Sequence, residues 1–393
     1  MIEFDTDSKK TDQAAVNIKI VGIGGAGCNT VNSMIESGLD EVEFVVANSD
    51  LQSLRHSKSP NKVQLGVKVS KGLGSGANPE LGRRATEEDL ERVIDHIGDA
   101  DIVFMVAGMG GGTGSGGAPV IAKALKDRGI LSIAVVTKPF VFEGKRRMLI
   151  AEHALEELKK EVDTLIVVPN EKLLGLVDRS VSMVESFTMI NELLIHSVKS
   201  ISSIISKSGH INVDFADLST IMKGMGLAMM GTGSAQGENR AVEAAKKAIS
   251  SPLLENMDIK SARGVLLNIS GGTNLSLHEI NDAANVIYDE SDKNAHIILG
   301  TVIDEDLKDE VVVSVVATGF HPATTAVQSK KVDSLLLAEK DTVLEQVQPG
   351  ASEPVQHASK EEVERNDTHD KDEIDVPTFM RNNSQNQSKS EDL

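Results

Sequence analysis

Apolar residues fall in short runs separated by amphipathic stretches over most of the chain. The runs are Val16–Val21, Val42–Ala47, Lys62–Val67, Ile102–Val106, Ile130–Val136 and Leu165–Val168. The first, second, fourth and fifth are almost continuously apolar, as strands covered on both faces require. Between several of them the spacing turns helical, as over Ala118–Arg128 and Arg147–Glu161. This alternation predicts a Rossmann-like, doubly wound α/β sheet with helices on both sides, whose ligands sit beyond the carboxyl ends of the strands. A longer helix is predicted from about Asp178 to Lys207, with apolar positions at Val184, Phe187, Ile190, Leu194, Val198, Ile201 and Ile205. At ~1.5 Å per residue it spans roughly 45 Å, enough to cross a domain. From about Asp214 the pattern changes. Helices over Phe215–Met225 and Asn239–Ser250 precede strand, helix, strand and strand at Gly264–Ile269, Leu277–Asp289, His296–Val302 and Glu310–Thr318. That predicts a second, α+β domain with its own sheet.

The predicted organisation is therefore a disordered tail over 1–14, a ligand-binding domain over 15–177, a central helix over 178–208 and an α+β domain over 209–320. Beyond it, residues 321–393 hold 8 Lys/Arg against 15 Asp/Glu, with few bulky apolar side chains outside Val332–Leu337. Such a stretch buries too little to offset its chain entropy, so 321–371 reads as a disordered linker. Within the final segment, 372–393, the island DEIDVPTFMR (Asp372–Arg381) carries Ile374, Val376, Phe379 and Met380. An apolar island in a polar tail suits a peptide that folds on a partner.

Three glycine clusters follow predicted strands. The first is Gly22-Ile23-Gly24-Gly25-Ala26-Gly27-Cys28-Asn29, which matches GxGxxG and opens a helical segment, Thr30–Ser37. The second, Gly108-Met109-Gly110-Gly111-Gly112-Thr113-Gly114-Ser115-Gly116-Gly117, has seven glycines in ten residues, a cost in chain entropy that a plain turn does not require. The third is Gly72-Leu73-Gly74-Ser75-Gly76-Ala77-Asn78-Pro79. Glycine lets backbone amides approach an anion closely, and the hydroxyls of Thr113 and Ser115 add donors. Three such loops suit a nucleoside di- or triphosphate. GxxxxGK[ST] is absent, which excludes an ordinary P-loop. A nicotinamide enzyme uses one such loop, so the second and third count against that reading. Asp50, just past the second strand, is available to a ribose but lies beyond the strand end.

Charge and composition narrow the classes further. Lys plus Arg is 40 and Asp plus Glu 59, a net of −19, which makes unspecific nucleic-acid binding unfavourable. Trp is absent and Tyr occurs once, so base-stacking platforms are not expected. The single cysteine, Cys28, excludes an intrachain disulfide framework. No apolar run approaches the ~20 residues of a membrane span, and the polar start is unlike a signal peptide. These features predict a cytoplasmic protein without direct membrane insertion. Ten histidines lie scattered without metal-ligand spacing, so no protein-held metal is expected.

The string GGGTGSG after Val106-Ala107-Gly108-Met109 resembles the signature of the tubulin/FtsZ family. VANSDLQSL, KGLGSGANPE, TKPFVFEGKRR, VVPNEKLL, NVDFADLSTIM and GLAMMGTG extend the resemblance over roughly 15–320, and DEIDVPTFMR matches again at 372–381. The resemblance is to the bacterial cell-division GTPases of that family. It implies GTP/GDP as ligand, with Gly24, Gly25, Ala26, Gly27, Cys28, Asn29, Gly110, Gly111, Gly112, Thr113, Gly114, Ser115 and Gly116 at the phosphates. It further implies Gly72, Gly74, Ser75 and Gly76 by the γ-phosphate, Glu143 and Arg147 near ribose and phosphates, and Asn48 and Asn170 as further contacts. Phe187 is a candidate for ring stacking, with a core position as the alternative. The family's Asn-Asp pair for guanine corresponds to Asn191-Glu192, where Glu replaces the usual Asp and changes its reach. Asp214 and Asp217, three apart at the start of a helix, would by themselves read as capping acids. The resemblance makes them catalytic groups that enter the next subunit's pocket and orient the attacking water. It also implies a head-to-tail homopolymer at a midcell ring, Mg²⁺ held through nucleotide and water with K⁺ as a further cation, and membrane-tethering partners such as FtsA on residues 372–381.

Overall fold

The computed structural model describes residues 16–174, 181–206, 213–254 and 259–320. The first five apolar runs become β1 (Ile18–Ile23), β2 (Glu43–Asn48), β3 (Asn61–Gln64), β4 (Ile102–Gly108) and β5 (Leu131–Lys138), and the sixth becomes β6 (Thr164–Pro169). Between and after them lie α1 (Gly24–Glu36), α2 (Leu51–His56), α3 (Pro79–Glu88), α4 (Leu90–Ile97), α5 (Thr113–Asp127), α6 (Lys145–Glu161), α7 (Asn170–Leu174), α8 (Met183–Ser206) and α9 (Phe215–Met222). The rest is β7 (Gly226–Gln236), α10 (Arg240–Ile249), β8 (Gly264–Gly271), α11 (Leu277–Glu290), β9 (His296–Ile303) and β10 (Glu310–Thr318). The expected tails 1–14 and 321–393 lie outside the described residues, as do the outer ends of the expected helix Asp178–Lys207.

The expected second sheet does not exist as a separate body. All ten strands form one sheet in the order β3-β2-β1-β4-β5-β6-β7-β10-β8-β9. The join is a parallel ladder pairing Thr164 with Gly226, Leu165 with Leu227 and Ile166 with Ala228. β7 makes it, and the sequence pattern had not shown a strand there. GLAMMGTGSAQ looks like a loop because its glycines depress strand propensity. Packing explains them. A Cβ on Gly231 would stand 2.1 Å from the Ala248 carbonyl oxygen and one on Gly233 2.3 Å from that of Ala244, so α10 lies directly on the strand backbone.

The sheet alternation splits the side chains into layers. Ile18 and Ile20 of β1 face one side, where α1, α8 and α9 cover the sheet. Val21 and Ile23 face the other, against α4, α5 and α6. Over β8 and β10 that second face is covered by α10 and α11. α8 buries Ile190, Leu194, Val198, Ile201 and Ile204 along one stripe, within the same layer as Leu266 of β8 and Ile298 of β9. β3 stops short of the expected Val67 because Gly66 turns to φ +64°. The helices after the first two glycine clusters start earlier than expected, at Gly24 and Thr113, so the glycines themselves form the first turns.

One buried cation ties the far half together. Arg240 at the start of α10 donates from Nε to Glu279 at 2.7 Å and from Nη1 to the Asp309 carbonyl at 2.9 Å. Glu279 also accepts from the backbone and hydroxyl of Ser276, closing a capping box on α11. The Arg240 hydrogen bond is the main cause that holds the Glu279 carboxyl down to about 2 from its ordinary 4.5.

Two outcomes follow from these contacts. Gly231→Ala should lower unfolding stability by about 1–3 kcal/mol through overpacking, read as a lower urea midpoint at unchanged slope. The depressed carboxyl of Glu279 contributes stability that is present above pH 4.5 and is lost as pH falls towards 2, because the unfolded chain then binds the proton more readily. Glu279→Gln should flatten that part of the stability–pH curve and lower stability at neutral pH.

Candidate functional site

β1 lies between β2 and β4, so successive connections diverge at its carboxyl end. α1 leaves β1 on one face of the sheet and α5 leaves β4 on the other. Such a switch point opens a crevice. Here the two helix starts meet in it: a Cβ on Gly24 would lie 3.0 Å from the Gly114 nitrogen. Neither helix has a side-chain cap or an acid in its first turn. Their first amides and positive dipole ends therefore face the crevice without a partner from the chain, the arrangement that binds anions.

The crevice is a cleft of about 660 Å³, within the range of small-ligand pockets. Of the sequence-derived candidates, Gly24, Gly25, Ala26, Asn29, Asn48, Gly74, Ser75, Gly111, Gly112, Thr113, Gly114, Glu143, Arg147, Asn170, Phe187 and Asn191 line it. The third glycine loop closes one end. Lys71, Gly72, Gly74, Gly76 and Ala77 all take positive φ, so the loop winds tightly on itself, with the amides of Gly72, Leu73, Gly74 and Asn78 bonded within the chain. Its bonds from Leu51 N to the Gly72 carbonyl and from Gly74 N to the Ser49 carbonyl, both 3.1 Å, fix it to the start of α2. Gly112 has to be glycine, since a Cβ there would meet the Ser75 hydroxyl at 2.3 Å.

At the other end α8 presents Phe187 and Asn191. Asn191 Oδ1 accepts from the Thr30 hydroxyl of α1 at 3.1 Å. Phe187 packs edge-on to Phe140 with ring centroids 5.6 Å apart, yet stays 40% exposed, so it is a cleft wall more than a core residue. Asn170 is 5% exposed, and its Oδ1 has no hydrogen-bond partner. A buried amide oxygen of that kind costs free energy unless a donor fills the cleft beside it. Glu143 accepts from the Phe140 amide at 2.9 Å and pairs with Arg147 at 2.5 Å. Arg147 is half exposed and is the cationic side chain of the lining, against the acids Asp50 and Glu143. An anion in this cleft would thus meet backbone dipoles and the single cation Arg147 of the lining.

Other candidates sit away from the lining. Gly27 packs on β4, where a Cβ would lie 2.4 Å from the Val106 carbonyl oxygen, and Gly116 packs on the start of α3. The Ser115 hydroxyl accepts from the Gly110 amide at 2.9 Å and so braces the loop. Cys28 is buried, and burial pushes its thiol up to about 11, which leaves it un-ionised and inert. Gly72 and Gly76 shape the third loop without lining the cleft, and Glu192 points from the exposed side of α8. Asp214 caps α9, its carboxylate accepting from the Asp217 amide at 2.8 Å. Both aspartates are exposed and neither lines the cleft. Thr30, Ser49 and Ala77 were not candidates from sequence. Thr30 orients Asn191, Ser49 lies beneath Thr113, and Ala77 lines the cleft from the third loop. Asp50 also lines it, one carboxylate oxygen capping α2 through the Gln52 amide at 2.9 Å. Among the described residues no three His, Cys, Asp or Glu side chains cluster to hold a metal ion, and no helix is long and apolar enough to cross a membrane.

Two family models match the chain. That of the tubulin/FtsZ family GTPase domain covers residues 17–178, and that of the FtsZ family C-terminal domain covers 226–321. Among solved structures, the empty FtsZ dimer of M. jannaschii is 43% identical at a TM-score of 0.75, covering 81% of this chain and 90% of that one. CetZ1 of Haloferax volcanii, a GDP-bound monomer, is 26% identical at 0.67, covering 83% and 100%. CetZ2 of the same organism, a GTPγS-bound protofilament, shares the fold at 23% identity and a TM-score of 0.67, covering 84% and 98%.

The Asn170 oxygen, buried without a hydrogen-bond partner, is placed to accept from a ligand in the cleft. Asn170→Ala should weaken GDP binding by about tenfold or more, read by titration calorimetry, while the melting temperature of the ligand-free protein stays near that of the parent.

Proposed function

The chain belongs to the tubulin/FtsZ family and carries its GTPase domain, and from this we propose that it is a GTP-hydrolysing filament protein of the cell-division ring, with a site completed between subunits. The observation that carries the proposal is the division of the chemistry. The cleft supplies what binds a nucleotide: two uncapped helix starts, a lining of Gly74, Ser75 and Ala77 from the third loop, the Asn170 oxygen and the Asn191 amide. The acids Asp214 and Asp217 are exposed elsewhere.

Guanine lies towards α8, between Phe187, Asn170 and Asn191. The phosphates lie on the first turns of α1 and α5, with the terminal one towards the third loop. The lining offers Asp50 and Glu143 but no cluster of three metal-ligating side chains among the described residues, so Mg²⁺ would be held mainly by the phosphates and water and would neutralise their charge. K⁺ is a further cation of the reaction medium. Asp214 and Asp217 of a neighbouring subunit orient the attacking water over the third-loop end. A head-to-tail contact of this kind does not close, so it generates a filament. Leu73, 87% exposed beside Gly74, and Phe142, 66% exposed beside Glu143, give the cleft mouth apolar contacts for that neighbour. Residues 372–381 recruit the membrane tether, of which FtsA is the candidate, to a cytoplasmic filament at midcell.

Turnover per subunit, measured with Mg²⁺ and K⁺ over a range of protein concentrations, should be near zero at low concentration and rise above a threshold. Asp217→Asn should cut turnover by about 10²–10⁴-fold with GTP binding retained. Mixing Asp217→Asn with a chain whose cleft is blocked by Gly112→Val should restore part of the activity, since the blocked subunit still lends its aspartates. Turnover constant per subunit at every concentration, or a mixture as inactive as its components, would mean a self-contained site. GTP bound with no turnover at any concentration would mean a binding scaffold.

A further inference from the structure

The aspartates proposed to act on a neighbour's nucleotide stand at one end of α9, and the bonds that hold this helix lie at the other. Its buried residues, Leu218, Ile221 and Met222, all fall towards its carboxyl end. There the Ile221 carbonyl accepts from Thr318 of β10 at 2.8 Å and the Met222 carbonyl from Thr164 of β6 at 2.5 Å. Asp163, immediately before β6, adds a two-sided contact. Its Oδ1 accepts from the Gly224 amide, just past α9, at 3.2 Å. Its Oδ2 accepts from the amide and the hydroxyl of Ser132 in β5, at 2.9 and 3.0 Å. The Asp163 amide donates to the same Ser132 hydroxyl at 3.1 Å, and its carbonyl takes the Gly226 amide at 2.9 Å. Gly224 and Gly226 have φ of +68° and +69°, so the chain leaving α9 turns sharply beside this carboxylate.

Apolar packing decides which face of α9 lies inward, but it is non-directional. Directional bonds at the carboxyl end decide the axis. α9 has eight residues, so at ~1.5 Å per residue a swing of about 10° about that end moves its first turn by roughly 2 Å. A misplacement of ~1 Å is enough to cost about a hundredfold where catalysis depends on positioning. At the first turn the Asp214 carboxylate bonds to the Asp217 amide of the same helix, which aligns the pair with the helix and not with the sheet. Their aim therefore follows the axis. Given a site divided between two chains, as the proposed function has it, we infer that Asp163 is a positioning residue: bound to β5 on one side and to the turn after α9 on the other, it fixes the helix and so the aim of Asp214 and Asp217 at the neighbour's nucleotide.

Asp163→Asn in the full chain tests this with little change of volume. One carboxylate oxygen serves each segment, whereas an amide has a single oxygen and turns an N–H₂ group to the other side. Above the assembly threshold, GTP turnover should fall by about tenfold or more, with GDP affinity within about twofold of the parent. Mixing then reads which side of the site has failed. Asp163→Asn keeps its cleft, so an equal amount of Gly112→Val, which lends an intact α9, should restore part of the activity. Asp217→Asn, whose own α9 is defective, should restore none. Thr164→Val removes another bond to the same helix end and should give the same pattern; it decides alone should Asp163→Asn not fold. Restoration by Asp217→Asn, with or without Gly112→Val, or a weakened GDP affinity, would place the defect in the cleft and overturn the inference. So would parent-like turnover, or restoration by neither chain while Asp217→Asn and Gly112→Val restore each other. If that reference pair itself stays inactive, the division between chains is wrong, and the proposed function falls together with this inference.

Discussion

Two helix N-termini brought together from opposite faces of one sheet are the constraint on which the rest depends. The first turns of α1 and α5 carry no cap and no acid, so their amides lack partners from the chain itself. Four other helices carry a side-chain cap, since Asp50, Asn78, Asp214 and Ser276 each accept amides from the first turns of α2, α3, α9 and α11, whereas α4, α6 and α10 carry none. What sets α1 and α5 apart is that their two uncapped starts meet, so the cost of their unpaired amides falls in one crevice. It is recovered when an anion arrives. The glycines of the site follow from close approach: Gly24 abuts the start of α5, Gly112 abuts Ser75 of the third loop, and Gly114 abuts the Gly108 carbonyl at the end of β4.

Close backbone approach recurs in the far half, for a structural end. Gly231 and Gly233 let α10 settle on β7, and β7 carries the sheet from the ligand-binding half into the second. The joint is only three residue pairs long, but α9 reinforces it. Thr164 of β6 donates to the Met222 carbonyl at 2.5 Å and Thr318 of β10 donates to the Ile221 carbonyl at 2.8 Å. The last turn of α9 is thus tied to both halves of the sheet while its first turn carries the two exposed aspartates.

Apolar continuity made the parallel half legible, since β1, β2, β4 and β5 are covered on both faces and show it in sequence. The glycine-lined part of the cleft was legible for a related reason, as close backbone approach explains seven glycines in ten residues. The strand β7 was not, because its glycines serve packing against α10 and mimic a loop in a one-dimensional reading. Nor was the continuity of the sheet, which rests on three pairings between segments about sixty residues apart. Spacing alone could not separate glycines that line the cleft, such as Gly112, from those that seat helices, such as Gly27 and Gly116. Ser49 escaped because nothing local marks it. Its partner Thr113 is 64 residues away and reaches it only once β2 and α5 have packed.

Capping and catalysis are compatible in Asp214. One carboxylate oxygen accepts the Asp217 amide, which fixes the rotation of the group and leaves the second oxygen free. A capped acid is better oriented than a free one, so the local role that sequence assigns to Asp214 prepares the distant role proposed for it. Asp217, one turn on, brings a second negative charge to the same exposed end of α9. The pair has no cation bonded to it within the described residues. Two carboxylates so placed favour a neighbour that brings positive charge or a polarisable water. The empty helix starts of another copy's cleft, loaded with nucleotide and its cation, have that character. In the function proposed, the site divides accordingly: the uncapped helix starts lie in the cleft, Asp214 and Asp217 lie on α9 outside it, and a second chain would bring the two together.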